Sequence, residues 1–255
     1  MNTHYRKMKN LFLCQSYLDS WEDYIRSISK DNFILWDYLI ITASNEEQAE
    51  NYREQISYRL DRGLLPIQTH YAVLPDPEGK RVGSGGATFN VLKYIREQEG
   101  DRENPFCGKR ILVIHSGGDS KRVPQYSASG KLFSPVPREL PNGNASTLFD
   151  EFVIGMSGVP SRIRDGMLIL SGDVLLLFNP LQIDSQFHGA AAISMKETVE
   201  VGKDHGDLRK FPERKRKTCK GHHCCHRDDE SGIQSDGRKT GNSCGENKSR
   251  RPLCS

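Results

Sequence analysis

At 255 residues, with 36% hydrophobic and 27% charged side chains, the chain is long enough to bury one large core or two small ones. Its formal net charge of +3 is unevenly held: residues 207–255 carry 13 Lys or Arg against 7 Asp or Glu, and the remainder carries 23 against 26. The body is therefore mildly acidic, and it holds only Cys14 and Cys107 of the seven cysteines, which excludes a small disulfide-stapled secreted fold.

The chain opens "MNTHYRKMKNLFLCQSYLDSW", with only Leu11 to Cys14 apolar before polar residues return. That run is too short for a signal-peptide core, and no window approaches the length of a membrane span, so no membrane partner and a cytoplasmic setting are expected. Residues 16–30 read as a helix, because Tyr17, Trp21, Tyr24, Ile25 and Ile28 recur at spacings of three and four. "WDYLIITAS" (36–44) reads as a buried strand. A helix over 44–60 follows, with Ser44 or Asn45 as N-cap and acidic residues in its first turn, where the helix dipole favours them. Residues 69–98 give a strand, a Pro/Gly loop and a helix opening near Gly86–Ala87 and ending at Gly100. Further strands are expected at 110–115, at 166–180 with its end at Gly172–Asp173, and at 188–200, with a helix over 146–157 between the first two. Apolar strands alternating with helices predict an α/β layered domain with a mostly parallel sheet. In such sheets ligands bind beyond the carboxyl ends of the strands.

Two glycine-rich stretches fall at those ends. The first, "GSGGAT" (83–88), sets Gly83, Ser84, Gly85 and Gly86 just before a helix, where backbone N–H groups and the helix N-terminus favour an anion. A tight turn explains the same residues equally well. The second, "HSGGDSKRVPQYSASGKLFSPVP" (115–137), follows a buried strand directly. Gly117 and Gly118 free the backbone, Ser120 offers a hydroxyl, Arg122 a planar fork for phosphate oxygens and Lys131 a point charge. A solvated surface loop is the plain alternative, against which stand the adjoining strand and the stiffening Pro124, Pro135 and Pro137. Asp173, after Gly172 at the end of an apolar run, is placed to hold Mg²⁺ near such phosphates, although a capping or turn aspartate would look the same.

The joint occurrence of GSGGAT, HSGGDSKR, GKLFSPVP and SGD resembles the sugar-1-phosphate nucleotidyltransferases. More closely it resembles the GDP-fucose pyrophosphorylase domain, found alone or fused ahead of a fucokinase domain, over roughly residues 35–206. The resemblance implies a Rossmann-like nucleotidyltransferase core, GTP and fucose-1-phosphate as partners, and transfer of GMP to the sugar phosphate with release of pyrophosphate. It assigns Arg122 and Lys131 to catalysis, Gly117 and Gly118 to the triphosphate, and Asp173 to the metal. Ser120–Lys121 replaces the superfamily's usual Gly-Thr, and the Arg122 to Lys131 interval is one residue shorter than usual. Both departures favour the fucose branch over the glucose and mannose enzymes.

From Asp207 this grammar stops: only Leu208, Phe211, Ile233 and Leu253 are large apolar residues, and disorder is expected. The sequence thus divides into an N-terminal helical segment (1–34), a partial nucleotidyltransferase domain (35–206) and a basic Cys/His-rich tail (207–255). Cys219, His222, His223, Cys224, Cys225 and His226 lie close together, but adjacent ligands make poor tetrahedral geometry. Nor does the tail interleave aromatics with its basic residues, which argues against a nucleic-acid partner. The abrupt change in composition reads as out-of-frame translation closing a truncated core. On that reading the alternative function is a catalytically inactive nucleotide-binding fragment.

Overall fold

The computed structural model describes residues 3–100, 102–116, 130–174, 178–184 and 188–193. It is an α/β fold around four parallel strands: β1 (Tyr38–Ala43), β2 (His70–Pro75), β3 (Arg110–His115) and β6 (Gly166–Ser171), in the order β2-β1-β3-β6. β1 pairs with β2 from Tyr38↔His70 and with β3 from Tyr38↔Ile111, while β3 pairs with β6 from Arg110↔Gly166 to His115↔Ser171. Strand order reverses beside β1: the chain goes outward to β2, then crosses back to β3. All six β1 residues are buried, as expected of a central parallel strand covered on both faces.

Side-chain alternation splits the core in two. Leu39, Ile41, Val73, Leu112, Ile114 and Leu170 face the layer formed by α1 (Thr3–Ser29), α2 (Glu46–Asp61) and α4 (Leu148–Met156). Tyr38, Ile40, Ala72, Ile111 and Val113 face α3 (Gly83–Glu99), which contributes Val91 and Ile95. α2 starts where its sequence says it should: Asn45 accepts from the Gln48 N–H at 2.9 Å, and Glu46 and Glu47 occupy the first turn. α4 opens on a capping box between Thr147 and Asp150. α3 stops at Gly100, whose φ of 71° suits glycine.

Several boundaries differ from the sequence expectation. α1 starts at Thr3 rather than residue 16, and it packs against α4 through the face carrying Tyr17, Trp21, Tyr24 and Ile28. α3 starts at Gly83, so the glycines form its first turn instead of a loop ahead of it. An antiparallel pair, β4 (Pro135–Glu139) and β5 (Ala145–Thr147), precedes α4 where no strands were expected. The compact unit extends through Phe187. Of the strand expected at 188–200, residues 188–193 have no regular structure, and the rest, like the tail from residue 207, lies outside the described residues. Among the described residues no helix is long and apolar enough to cross a membrane.

Candidate active site

Because the four long strands are parallel, their carboxyl ends meet at one edge. A cleft of about 350 Å³ opens there, lined by Thr42 near the end of β1, Asp76 after β2, His115 and Ser116 at the end of β3, and Ser171, Gly172 and Asp173 at the end of β6. Gly83, Ser84 and Ala87 of α3 close one side, and Arg81 and Lys131 add positive charge. The volume sits at the lower end of ordinary small-ligand sites.

The first turn of α3 leaves its N–H groups without intrahelical partners, as every helix start does. Val82, at the N-cap, has no side chain that can cap them. Gly83 has φ +71°, a conformation that disfavours any other residue, and turns the chain into the helix. Gly85 and Gly86 share this turn but do not line the cleft; a Cβ at Gly86 would lie 2.7 Å from Val82 Cβ. Of the four expected here, Gly83 and Ser84 are the two that face the cleft.

Lys131 begins a single 3-10 turn, Lys131–Phe133, anchored by the buried Leu132 and Phe133. Phe133 packs on Tyr52 and Phe149, with the Arg59 guanidinium 5.1 Å from its ring centre. Arg59 is fixed in turn by Asp150, at 2.6 and 3.1 Å, and by Thr147 at 3.1 Å. Asp173 follows β6 in a tight turn. Its Oδ1 accepts from Ser171 Oγ at 2.6 Å, and Gly172 donates to the His115 carbonyl at 2.8 Å. A Cβ on Gly172 would meet that carbonyl at 2.9 Å, so the close approach of β6 to β3 needs glycine. Lys131, Asp173, Gly83 and Ser84 therefore converge. Gly117, Gly118, Ser120 and Arg122 lie outside the described residues.

His115 was not anticipated. Thr42, His115 and Ser171 are register partners in one row across the sheet and share the α3 side. His115 Nδ1 is 3.1 Å from Thr42 Oγ1, and its Nε2 is 3.0 Å from Thr88 Oγ1. Thr88 already donates its one hydroxyl proton to the Ser84 carbonyl at 2.9 Å. It must therefore accept from Nε2–H, which leaves Nδ1 to accept from Thr42 in the neutral ring. Burial pushes the imidazole pKa down, and the nearby Asp76 charge opposes that. Asp76 itself is pushed up by burial, against the Val82 N–H, Arg81 and His115. A neutral His115 thus ties the end of β3 to α3 through Thr88, which in turn bonds the Ser84 carbonyl of the first turn. The signal available in the sequence was its position, a polar residue ending a buried parallel strand.

The profile of the fucose pyrophosphorylase domain matches residues 105–238. The chain belongs to that family. The match takes in β3, Lys131 and Asp173, and runs on past Asp207, where the composition changes. The chain is 32% identical over 193 residues to a bifunctional fucokinase/GDP-fucose pyrophosphorylase of Arabidopsis thaliana, covering 67% of this chain and 18% of that protein. It is 34% identical to the fucose-1-phosphate guanylyltransferases of Mus musculus and Homo sapiens, over 176 and 177 residues, in each case 67% of this chain and 28% of the relative. The chain thus spans less than a third of the length of these relatives. No solved structure matches it.

Asp173 fits a divalent cation bound mainly by substrate: Mg²⁺ commonly takes one or two carboxylates and completes its shell with phosphate oxygens and water. The carboxylate stands at the cleft and is oriented by Ser171. Among the described residues no group of three or more His, Cys, Asp or Glu is placed to hold a metal by itself.

Proposed function

We propose that this cleft binds a nucleoside triphosphate, GTP by family, together with fucose-1-phosphate, and that the chain transfers GMP to the sugar phosphate. The observation that carries the reading is the convergence of an uncapped helix start at Gly83–Ser84, the Lys131 ammonium and the Asp173 carboxylate on one cleft. The helix start and Lys131 attract anionic oxygens, and Asp173 suits the cation that accompanies a triphosphate. Gly117, Gly118, Ser120 and Arg122 join them on the strength of the family motif. The two described cysteines are free thiols, in keeping with a cytoplasmic setting.

The chemistry needs little beyond placement. A phosphate oxygen of the sugar-1-phosphate attacks the α-phosphorus of the nucleotide in line, and the bond to the bridging oxygen of the β-phosphate breaks. Pyrophosphate carries that electron pair away. The nucleophile is already ionised near neutral pH, so no general base is required. Rate comes from alignment and from neutralising charge that builds on the transferring and leaving groups. Lys131 and the α3 N–H groups supply fixed positive potential, while neutral His115 holds the α3 turn against β3. Mg²⁺ held by Asp173 would add Lewis-acid neutralisation of the phosphate oxygens.

The test is to incubate the chain with GTP, Mg²⁺ and fucose-1-phosphate and to follow GDP-fucose and pyrophosphate, with ATP, CTP and UTP in parallel. Product with GTP that is lost in Lys131→Ala and Asp173→Asn upholds the reading. Nucleotide binding without product selects the alternative of a nucleotide-binding fragment. Neither binding nor product overturns both.

A further inference from the structure

Tyr52 lies in the middle of α2 and is fully buried. A phenol sealed in a core needs a hydrogen-bond partner for its hydroxyl, and phenylalanine would fill the same space without that demand. The partners found are not on its own helix. The hydroxyl is 2.9 Å from Ser116 Oγ and 3.4 Å from the Ser116 carbonyl, at the first residue past β3. Against the same hydroxyl stands Gly130, where a Cβ would lie 1.9 Å from the Tyr52 oxygen, 2.8 Å from Cζ and 2.9 Å from Cε1. The ring also packs on Phe133 with centroids 5.2 Å apart. One side chain therefore touches Ser116 and the residues on both sides of Lys131.

Gly130 is required twice over. Its φ of 66° and ψ of 160° belong to a region open essentially to glycine alone, and the Tyr52 hydroxyl occupies the space a side chain would take. Ser116 and Lys131 both line the cleft, whereas Tyr52 does not. Tyr52 can influence the cleft only by setting where those two stand.

We propose that Tyr52 is a positioning residue: its hydroxyl and ring fix Lys131 relative to the carboxyl end of β3, and so fix the spacing of the charged wall that receives the phosphates. This deepens the reading of the cleft given above and rests on it for the phosphate. The geometric part, Tyr52 holding Ser116 and Gly130 together, stands independently. A tyrosine serving packing alone would be replaceable by phenylalanine without consequence at the cleft.

The experiment uses the full chain and Tyr52→Phe, which keeps the ring and removes only the hydroxyl. Hydrogen exchange is followed in peptides covering 110–116 and 130–134, with thermal unfolding and MgGTP titration alongside. Faster exchange confined to those two peptides is expected, with the unfolding midpoint lowered by only about 2–4 °C, the shift that one lost hydrogen bond gives. MgGTP affinity should weaken by about five- to tenfold, the size of one lost hydrogen bond. Gly130→Ala should do less damage to these readouts in the Tyr52→Phe background than in the parent, because part of the clash has gone. Unchanged exchange at both peptides, or a uniform rise across the molecule, overturns the proposal. So does equal damage by Gly130→Ala in the two backgrounds. Should the parent chain bind no MgGTP, the reading of the cleft fails, while a local rise in exchange still upholds Tyr52 as the link between the two segments.

Discussion

Where α2 meets α4, Arg59 commits its guanidinium to Asp150, Thr147 and Gln55 and lies across the rings of Phe133 and Phe149. Nearby, the buried Glu151 pairs with Arg138 and accepts from Ser146 Oγ at 2.7 Å. At the carboxyl edge of the sheet, by contrast, Lys131 and Asp173 line an open cleft beside a helix start whose N-cap residue, Val82, supplies no side-chain cap. The first arrangement is internally satisfied, as buried polar groups in stable cores are. Among the described residues, the second leaves the Lys131 ammonium without an ion-pair partner and the helix start without a cap from its N-cap residue, where a charged ligand would answer them. Charge alone does not mark a functional site here. What marks the candidate site, among the described residues, is charge that the fold has positioned beside an open cleft.

The two regions should fail differently. On the proposed function, Lys131→Ala or Asp173→Asn is expected to lower GDP-fucose formation by about a hundred- to a thousandfold, the usual loss when a preorganised charge contact at a transition state is removed. Thermal unfolding should barely move, since substitutions at exposed or cleft positions generally stay within about 0.5 kcal/mol. Asp150→Ala should show the reverse. It strands a buried guanidinium and removes the α4 capping box, for a loss of about 3 kcal/mol, the low end of the range because Asp150 is partly exposed. Denaturant melts would show that loss, while product formation by the folded protein falls far less than in the Lys131 variant. Matching stability losses in the Lys131 and Asp150 variants would erase the distinction.

A smaller effect tests the hydrogen bonds that join the two halves of the cleft. Thr42→Val keeps the shape of the side chain but leaves His115 Nδ1 without its donor. A loss of about 1 kcal/mol is expected, since a net hydrogen bond is worth about that much. The imidazole should also become freer to turn, which a wider spread of its ring signals in NMR would reveal. An unchanged stability would mean that water replaces the threonine.

Much of the fold was legible because buried parallel strands read as unbroken apolar runs: 38–43, 110–115 and 166–171 all lie inside the expected segments. Asn45 and Gly100 were legible as punctuation, since their chemistry at helix ends is local. What escaped depended on tertiary contact or broke a local rule. β4 contains Pro135 and Pro137, which lack an N–H and fit only a strand with a free edge, so "PVPRE" does not look like a strand. The N-terminal half of α1 keeps Leu11 and Phe12 exposed, and so has no stripe to announce it. Glycines at the head of α3 weaken helix propensity where the backbone nevertheless turns. In the site, Lys131, Asp173, Gly83 and Ser84 were legible from motif and position. Thr42, Asp76 and His115 were not: each is a lone polar residue that gains meaning only when parallel strands bring their ends together. Tyr52 carried no signal of its own within the run 44–60.

The smallest expected effect concerns acid, and its sign follows from His115. Burial lowers the folded imidazole pKa below the unfolded value of about 6.5. The folded state therefore binds fewer protons than the unfolded chain as pH falls below that value. Stability from the neutral ring is complete above about 6.5 and is lost as pH drops through the lower, folded pKa. Asp76 is the group that opposes the shift, and its own pKa is raised, so it surrenders its charge sooner in acid than an ordinary aspartate would. Arg81 and Lys131, which line the same cleft, add further positive charge that does not help an imidazolium form there. The comparison to make is the parent against His115→Gln, melted between pH 8 and pH 5. The parent's advantage should be greatest at pH 8 and should narrow steadily toward pH 5, because only the parent loses the neutral ring. A gap that stays constant would mean that burial leaves the imidazole pKa unshifted, and a gap that widens in acid that the folded protein favours the charged ring. In the latter case the Nε2–H to Thr88 and Thr42 to Nδ1 arrangement would be the wrong proton assignment.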